Sequence, residues 1–257
     1  MKYLLFFLTL IIILILIYIV YSYNYNVNYR KIDFYMNKYY KNNKTRVRKT
    51  PKILIQTYHN KSKIPNKVYK NIEKYAPNYE HLVYDDEDCI NFLKTNYNSL
   101  IVNKFNNFKK GAHKADLFRY CWLYKNGGVY MDIKIKLIKP LSEILTEENK
   151  LYTVLSDFKG TIFQGIISTP PNNPVFKILI NKLLNTHNLV IMTDYLIFTR
   201  HFYDELLYTD NSKYKLFKER CSDELNKDLK PDRYNKKCAI YDQDERIFIT
   251  RYSDYPW

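Results

Sequence analysis

Asp116, Arg119, Asp132 and Lys134 carry the first suggestion of chemistry in this chain of 257 residues. Asp116 and Arg119 lie three apart, which puts both on one face if the stretch is helical. The surrounding run, with Ala112, Leu117, Phe118, Cys121, Trp122 and Leu123, is apolar on nearly every side, so that helix is expected to be buried. Buried charge is costly unless it is paired. The pair is therefore either an internal ion pair or one completed by a polar ligand. Asn126-Gly127-Gly128 supplies residues able to take positive φ and end the helix. A strand through Val129 to Met131 then delivers Asp132 at its carboxyl end, where ligands bind in open α/β sheets.

The elements that must position these residues follow from periodicity and punctuation. Lys52 to Gln56 is an apolar run short enough for a buried strand, and His81 to Tyr84 is a second. Helices are expected from Ile64-Pro65 to about Tyr75, from Asp88 to Asn96 and from Lys110 to Lys125, with Asp85-Asp86 as a cap for the second. Further strands are read at Val129 to Met131, Leu151 to Leu155 and Phe163 to Ser168. Asn173-Pro174 is a helix start with Asn as cap and Pro at the first position, and this helix runs to about Asn185. Another is expected over Asp194 to Leu207. Strands alternating with helices indicate an α/β body with a mainly parallel sheet.

With the motifs in order, the chain resembles a known family. The run Ala115-Asp116-Leu117-Phe118-Arg119-Tyr120, followed by Leu123 to Asp132, resembles the DXD-containing sugar-binding region of glycosyltransferase family 32, the yeast-type mannosyltransferases. Lys52 to Tyr58, Ile64-Pro65, Tyr84-Asp85-Asp86 and Lys139-Pro140-Leu141 match in the same order. The resemblance implies a GT-A nucleotide-diphospho-sugar transferase fold and a retaining hexosyltransferase acting from a nucleotide-sugar donor onto a glycan or lipid acceptor. It implies that Asp116 and Arg119 bind donor-sugar hydroxyls and that Asp132 contacts ribose and metal-bound diphosphate. Tyr58 stands where the family has Trp near the base, and Gln164 where an Asn meets the sugar. Arg251 to Trp257 would be a closing loop over the diphosphate.

One position departs from the pattern. The motif reads Asp132-Ile133-Lys134, so the second Asp, which would ligate Mn²⁺ or Mg²⁺, is replaced by a lysine that repels a cation. Lys134 could supply positive charge to the leaving diphosphate itself. The alternatives are that it faces solvent while Asp132 and another acid hold a metal, or that catalysis is lost and the chain is a decayed transferase-like membrane protein. A reading from a different class is a metal-dependent D-x-K nuclease, with Asp116 as its earlier acid.

Composition separates these readings. The net charge is +15, with 27 Tyr, and hydrophobic residues make up 46% of the chain, which excludes a disordered protein. Residues 4–20 carry no charge, and at about 1.5 Å per residue the stretch from Tyr3 to Tyr23 spans roughly 30 Å, enough for a bilayer. No small-residue cleavage site follows, so residues 1–22 are expected to be a retained single-pass anchor, residues 23–50 a basic stem and residues 51–257 the enzymatic domain. The stem holds +7 and Lys2 one more, leaving +7 for the body, which weakens nucleic acid as a partner. The expected setting is an endomembrane. Its orientation stays open: basic residues after the span lean towards a cytoplasmic body, and the sequons at Asn43 and Asn60 towards a lumenal one. The five histidines show no ligand spacing, Cys121 reads as core, and Cys221 and Cys238 could pair in a lumenal body.

Overall fold

The computed structural model describes residues 7, 9, 11–16, 48–232 and 235–257. Residues 11–16 are helical with exposed side chains. The remainder of the expected anchor, and the stem up to residue 47, lie outside the described residues. No helix among the described residues is long and apolar enough to cross a membrane.

The body opens with β1 (Ile53–Thr57), α1 (Asn66–Tyr75), β2 (Glu80–Tyr84), α2 (Asp86–Asn96) and α3 (Ser99–Asn107). Helix α4 (Gly111–Asn126) leads into β3 (Gly128–Met131), β4 (Lys136–Leu137) and α5 (Leu141–Ile144). Then come β5 (Leu151–Leu155), β6 (Ile162–Thr169), α6 (Pro174–Asn185), α7 (Asn188–Thr193) and α8 (Ile197–Leu207). Strands β7 (Tyr214–Cys221), β8 (Cys238–Asp242) and β9 (Glu245–Ile249) complete one sheet in the order β2-β1-β3-β6-β5-β7-β8-β9-β4.

The sheet is mixed, which corrects the expectation of a mainly parallel one. Only β1–β2, β1–β3 and β5–β7 run parallel. Pairs β3–β6, β5–β6, β7–β8, β8–β9 and β4–β9 are antiparallel. Strand–helix alternation holds as far as β3 and then gives way to hairpins. Strands β8 and β9 are joined by Gln243 and Asp244 alone, with Gln243 at φ 53°, and a parallel crossover needs a dozen residues or more. Cys221 and Cys238 face each other across β7–β8 and are joined in a disulfide.

Local signals at the site's end of the molecule act as expected. Asp85 caps α2 in a reciprocal box with Asp88, and the Asn173 side chain accepts from the Val175 N–H at 3.1 Å at the start of α6. Helix α4 buries ten of its residues and stops at Gly127, whose φ is 69°. Gly128 follows at φ 99°, and a Cβ there would lie 2.7 Å from the Ile53 carbonyl oxygen. That absence of a side chain lets β3 turn directly out of α4 and lie against β1. Leu54, Val129, Met131, Val154, Ile166 and Phe217 form the centre of the core behind it.

Candidate active site

Asp132 stands one residue beyond β3, held by its own N–H on the Gly165 carbonyl (2.8 Å) and by its carbonyl accepting from Ile135 (2.9 Å). The turn that results carries Ile133 inward and leaves Asp132 and Lys134 partly open, with side chains 23% and 28% exposed. Helix α4 approaches from the other side with Asp116, Arg119 and Tyr120. Arg119 is the hub. Its Nε donates to the Ala115 carbonyl at 3.1 Å and its Nη1 to the Gln164 carbonyl at 2.5 Å. Its Nη2 lies 3.5 Å from Asp116 Oδ1 and 3.7 Å from Asp132 Oδ1, and its guanidinium carbon stands 4.2 Å from the centre of the Tyr130 ring. The i,i+3 pair read from the sequence is present, yet it is only part of a larger network.

The two acids respond oppositely to this setting. Burial pushes the Asp116 carboxyl up to about 6, with Arg119 opposing the rise and Asp132 adding to it. Burial acts the same way on Asp132, but Arg119, then Lys134 and the Tyr130 hydroxyl, outweigh it and hold that carboxyl below its ordinary value. Lys134 Nζ is 3.6 Å from Asp132 Oδ2. Tyr120 donates to Gln164 Oε1 at 2.6 Å, and the buried Gln164 Nε2 has no partner among the described residues.

Of the residues expected at the site, Asp116, Arg119, Asp132, Lys134 and Gln164 come together. Tyr58 sits beside them rather than among them. Its hydroxyl donates to the Trp257 carbonyl at 2.7 Å, and its ring packs with Ile64, Val68, Ile133 and Tyr252. The Arg251–Trp257 segment thus lies against the end of β1, and the Tyr252 N–H donates to the Lys134 carbonyl at 3.0 Å. Sequence reasoning passed over Gln56, Thr57, His81, Tyr120 and Tyr130. Gln56 Oε1 meets His81 Nε2 at 2.9 Å, and its Nε2 reaches the Asp132 carbonyl at 3.5 Å. Burial lowers the His81 pKa, and because the Gln56 amide oxygen can only accept, His81 Nε2 is the donor of this contact. A polar Gln inside an otherwise apolar buried strand was the available signal for this pair.

A divalent cation does not fit this donor set. One Asp132 oxygen faces Arg119 and the Tyr130 hydroxyl, the other faces Lys134, and Asp116, the other acid of the network, faces the same guanidinium. Among the described residues the group with three suitably spaced ligand atoms is Glu219, Cys221 and Cys238, and those two cysteines are bonded to each other. Arg119, placed between Asp116 and Asp132, also denies the pair the shared metal that a D-x-K nuclease needs.

Comparison with known proteins agrees with the motif order. Residues 62–151 match the family described as a glycosyltransferase sugar-binding region containing a DXD motif. Over that stretch the chain is similar to glycosyltransferase family 32. An uncharacterised glycosyltransferase of Acanthamoeba polyphaga mimivirus is 28% identical over 141 residues, covering 53% of this chain and 55% of that protein. Inositol phosphoceramide mannosyltransferase 3 of Schizosaccharomyces pombe is 29% identical over 116 residues, covering 44% of this chain and 31% of its own length. The matches therefore span about half of the first relative and a third of the second. A solved structure described as PaToxG glycosyltransferase aligns with TM-score 0.46 and 14% identity over 64% of this chain and 73% of that one.

Proposed function

We propose that the chain is a membrane-anchored hexosyltransferase of GT-A type that moves a sugar from a nucleotide-sugar donor to a glycan or lipid acceptor. The observation that carries this reading is the convergence of Asp116, Arg119, Asp132 and Lys134 at the carboxyl end of β3. Asp116 accepts hydrogen bonds from donor-sugar hydroxyls, and Arg119 orients the same ring. Asp132 holds the ribose. Lys134 faces the diphosphate and offsets the negative charge that develops as it departs, the role that the resemblance gives to a cation at a full motif. Mannose is the sugar favoured here, because the S. pombe relative is named a mannosyltransferase, and that name also supports a lipid acceptor.

Two features support a lumenal, oxidising setting for the body, with the apolar stretch at 4–20 as the anchor. The Cys221–Cys238 disulfide is a bond that persists in oxidising compartments, and the Asn60 sequon lies before α1, with Asn60 half-buried and Lys61 and Ser62 exposed. The test of function is a thermal-shift screen of nucleotide sugars followed by transfer assays with and without EDTA. A donor that raises Tm and is turned over equally in both conditions supports the reading. Transfer abolished by EDTA removes the role given to Lys134, and no shift with any nucleotide sugar removes the donor site altogether.

A further inference from the structure

We infer that Tyr130, which lies inside the matched motif run but carries no assigned role there, is the residue that positions both of the site's charged arms. Tyr130 is 1% exposed and lies on β3 between β1 and β6, opposite Ile55 and Ile167. Its hydroxyl donates to Asp132 Oδ1 at 3.0 Å. A phenol has one proton to give, so in its 3.1 Å contact with Thr57 Oγ1 the threonine is the donor. The result is a directed chain, Thr57 to Tyr130 to Asp132, that starts on β1 and ends at the carboxylate. The other handle is the ring face. The Arg119 guanidinium stands 4.2 Å from its centre, a cation–π distance.

These two handles do separate work. The hydroxyl fixes the rotation of the Asp132 carboxylate, so that Oδ1 is spent inside the protein and Oδ2 is the oxygen turned to Lys134 and to a ligand. The ring sets the plane of Arg119, whose Nη2 must stand between two acids while Nη1 reaches the Gln164 carbonyl. Burial raises the Tyr130 pKa, which keeps the phenol protonated and able to donate. Because a strand residue alternates faces, only this position on β3 presents a side chain to α4 directly before the Asp132 turn. The kinetic part of the inference rests on the glycosyltransferase reading; the structural part does not.

Tyr130→Phe and Tyr130→Leu, made in the full chain, divide the two handles. The first readout is the titration of the Asp132 carboxyl by ¹³C NMR, identified by its loss in Asp132→Asn. Tyr130→Phe is expected to move that titration to higher pH, and Thr57→Val to move it the same way by less. An unmoved titration in Tyr130→Phe overturns the inference whether or not any sugar is transferred. The second readout is the donor KM against kcat. Tyr130→Phe should raise KM on the order of tenfold with kcat little changed, the loss of one hydrogen bond to a charged group. Tyr130→Leu, which also releases Arg119, should lower kcat as well. Tyr130→Phe with wild-type kinetics and only Tyr130→Leu impaired would mean a packing role only, and equal effects from Phe and Leu would mean that the ring does not hold Arg119; either result would overturn the double positioning role. A wild-type chain that transfers no sugar sinks the functional reading and leaves the NMR titration to decide this one.

Discussion

Asp116 and Asp132 stand at nearly the same distance from one guanidinium, 3.5 and 3.7 Å, yet one is pushed up to about 6 and the other is held below its ordinary value. Burial raises both, although the Asp132 side chain is the more open of the two, 23% exposed against 12%. The difference is in the remaining partners. Asp132 has the Tyr130 hydroxyl and Lys134 as well as Arg119, whereas Asp116 has Arg119 and the repulsion of Asp132. One arginine cannot satisfy two buried carboxylates. Asp132 on the β3 side thus has three donors from the chain, whereas Asp116 on α4 has the shared arginine. Under the proposed roles, sugar hydroxyls would supply further donors to Asp116, while Asp132 would keep Oδ2 for the ribose.

Removing what the two halves share gives the largest expected effect. Arg119→Ala leaves both acids and the Gln164 carbonyl without their common donor, and breaking a buried charge network of this kind costs about 3–5 kcal/mol. Chemical denaturation is the measurement. A loss below about 1 kcal/mol, the range of an exposed pair, would show that Arg119 does not couple the two halves. Transfer should be lost together with the stability.

The next effect sharpens the β3 half alone. Lys134→Ala keeps the fold, since the side chain is over a quarter exposed, but removes the cation opposite the leaving group. Transfer is expected to fall on the order of 100-fold, the scale of losing one electrostatic contact to a developing charge. Lys134→Asp goes further and restores the second motif acid. It should recover part of that loss with Mn²⁺ or Mg²⁺ present and lose it again with EDTA. An Asp variant indifferent to both metal and EDTA would show that the motif turn is not where the diphosphate lies.

How much of this was legible from residues alone differs between the same two regions and the sheet behind them. The α4–β3 unit was readable because its signals are local: apolar periodicity, two charges three apart, a Gly-Gly stop and a strand-end acid. Asp116, Arg119, Asp132, Lys134 and Gln164 all fall together as expected. Tyr130 and Thr57 were not readable, because an aromatic on a buried strand is ordinary core, and only the β1–β3 register shows its hydroxyl meeting both Thr57 and Asp132. Strands β7 to β9 escaped notice for a different reason. Lys215, Lys218, Glu219 and Arg220 make β7 look like a solvated loop, and its pairing with β5 and β8 is long-range information that no local pattern carries. The mixed sheet follows from those strands, so the error in strand direction and the missing elements have one cause. Tyr58 was placed by its neighbours in the motif, but its hydroxyl is taken up by the distant Trp257 carbonyl.

The α4 half can be tested by pH, where the comparison makes opposite demands on its two acids. Asp132, with a lowered pKa, stabilises the folded state at neutral pH and loses that contribution only as pH falls through its folded value, below the ordinary carboxylate range. Asp116, raised to about 6, works the other way: the folded chain takes up its proton before the unfolded chain does, so its burial penalty is relieved as pH drops from about 6 towards 4. Stability should therefore hold or improve over that window while donor binding, which needs the ionised Asp116 as acceptor, weakens by about tenfold per pH unit below 6. Calorimetric titration of donor from pH 7.5 to 5, beside thermal melts at the same pH values, measures both. Asp116→Asn should bind more weakly at pH 7.5 and lose the pH dependence. Binding and stability falling together below pH 6 would mean that acid unfolds the site instead, and that Asp116 is no less satisfied than Asp132.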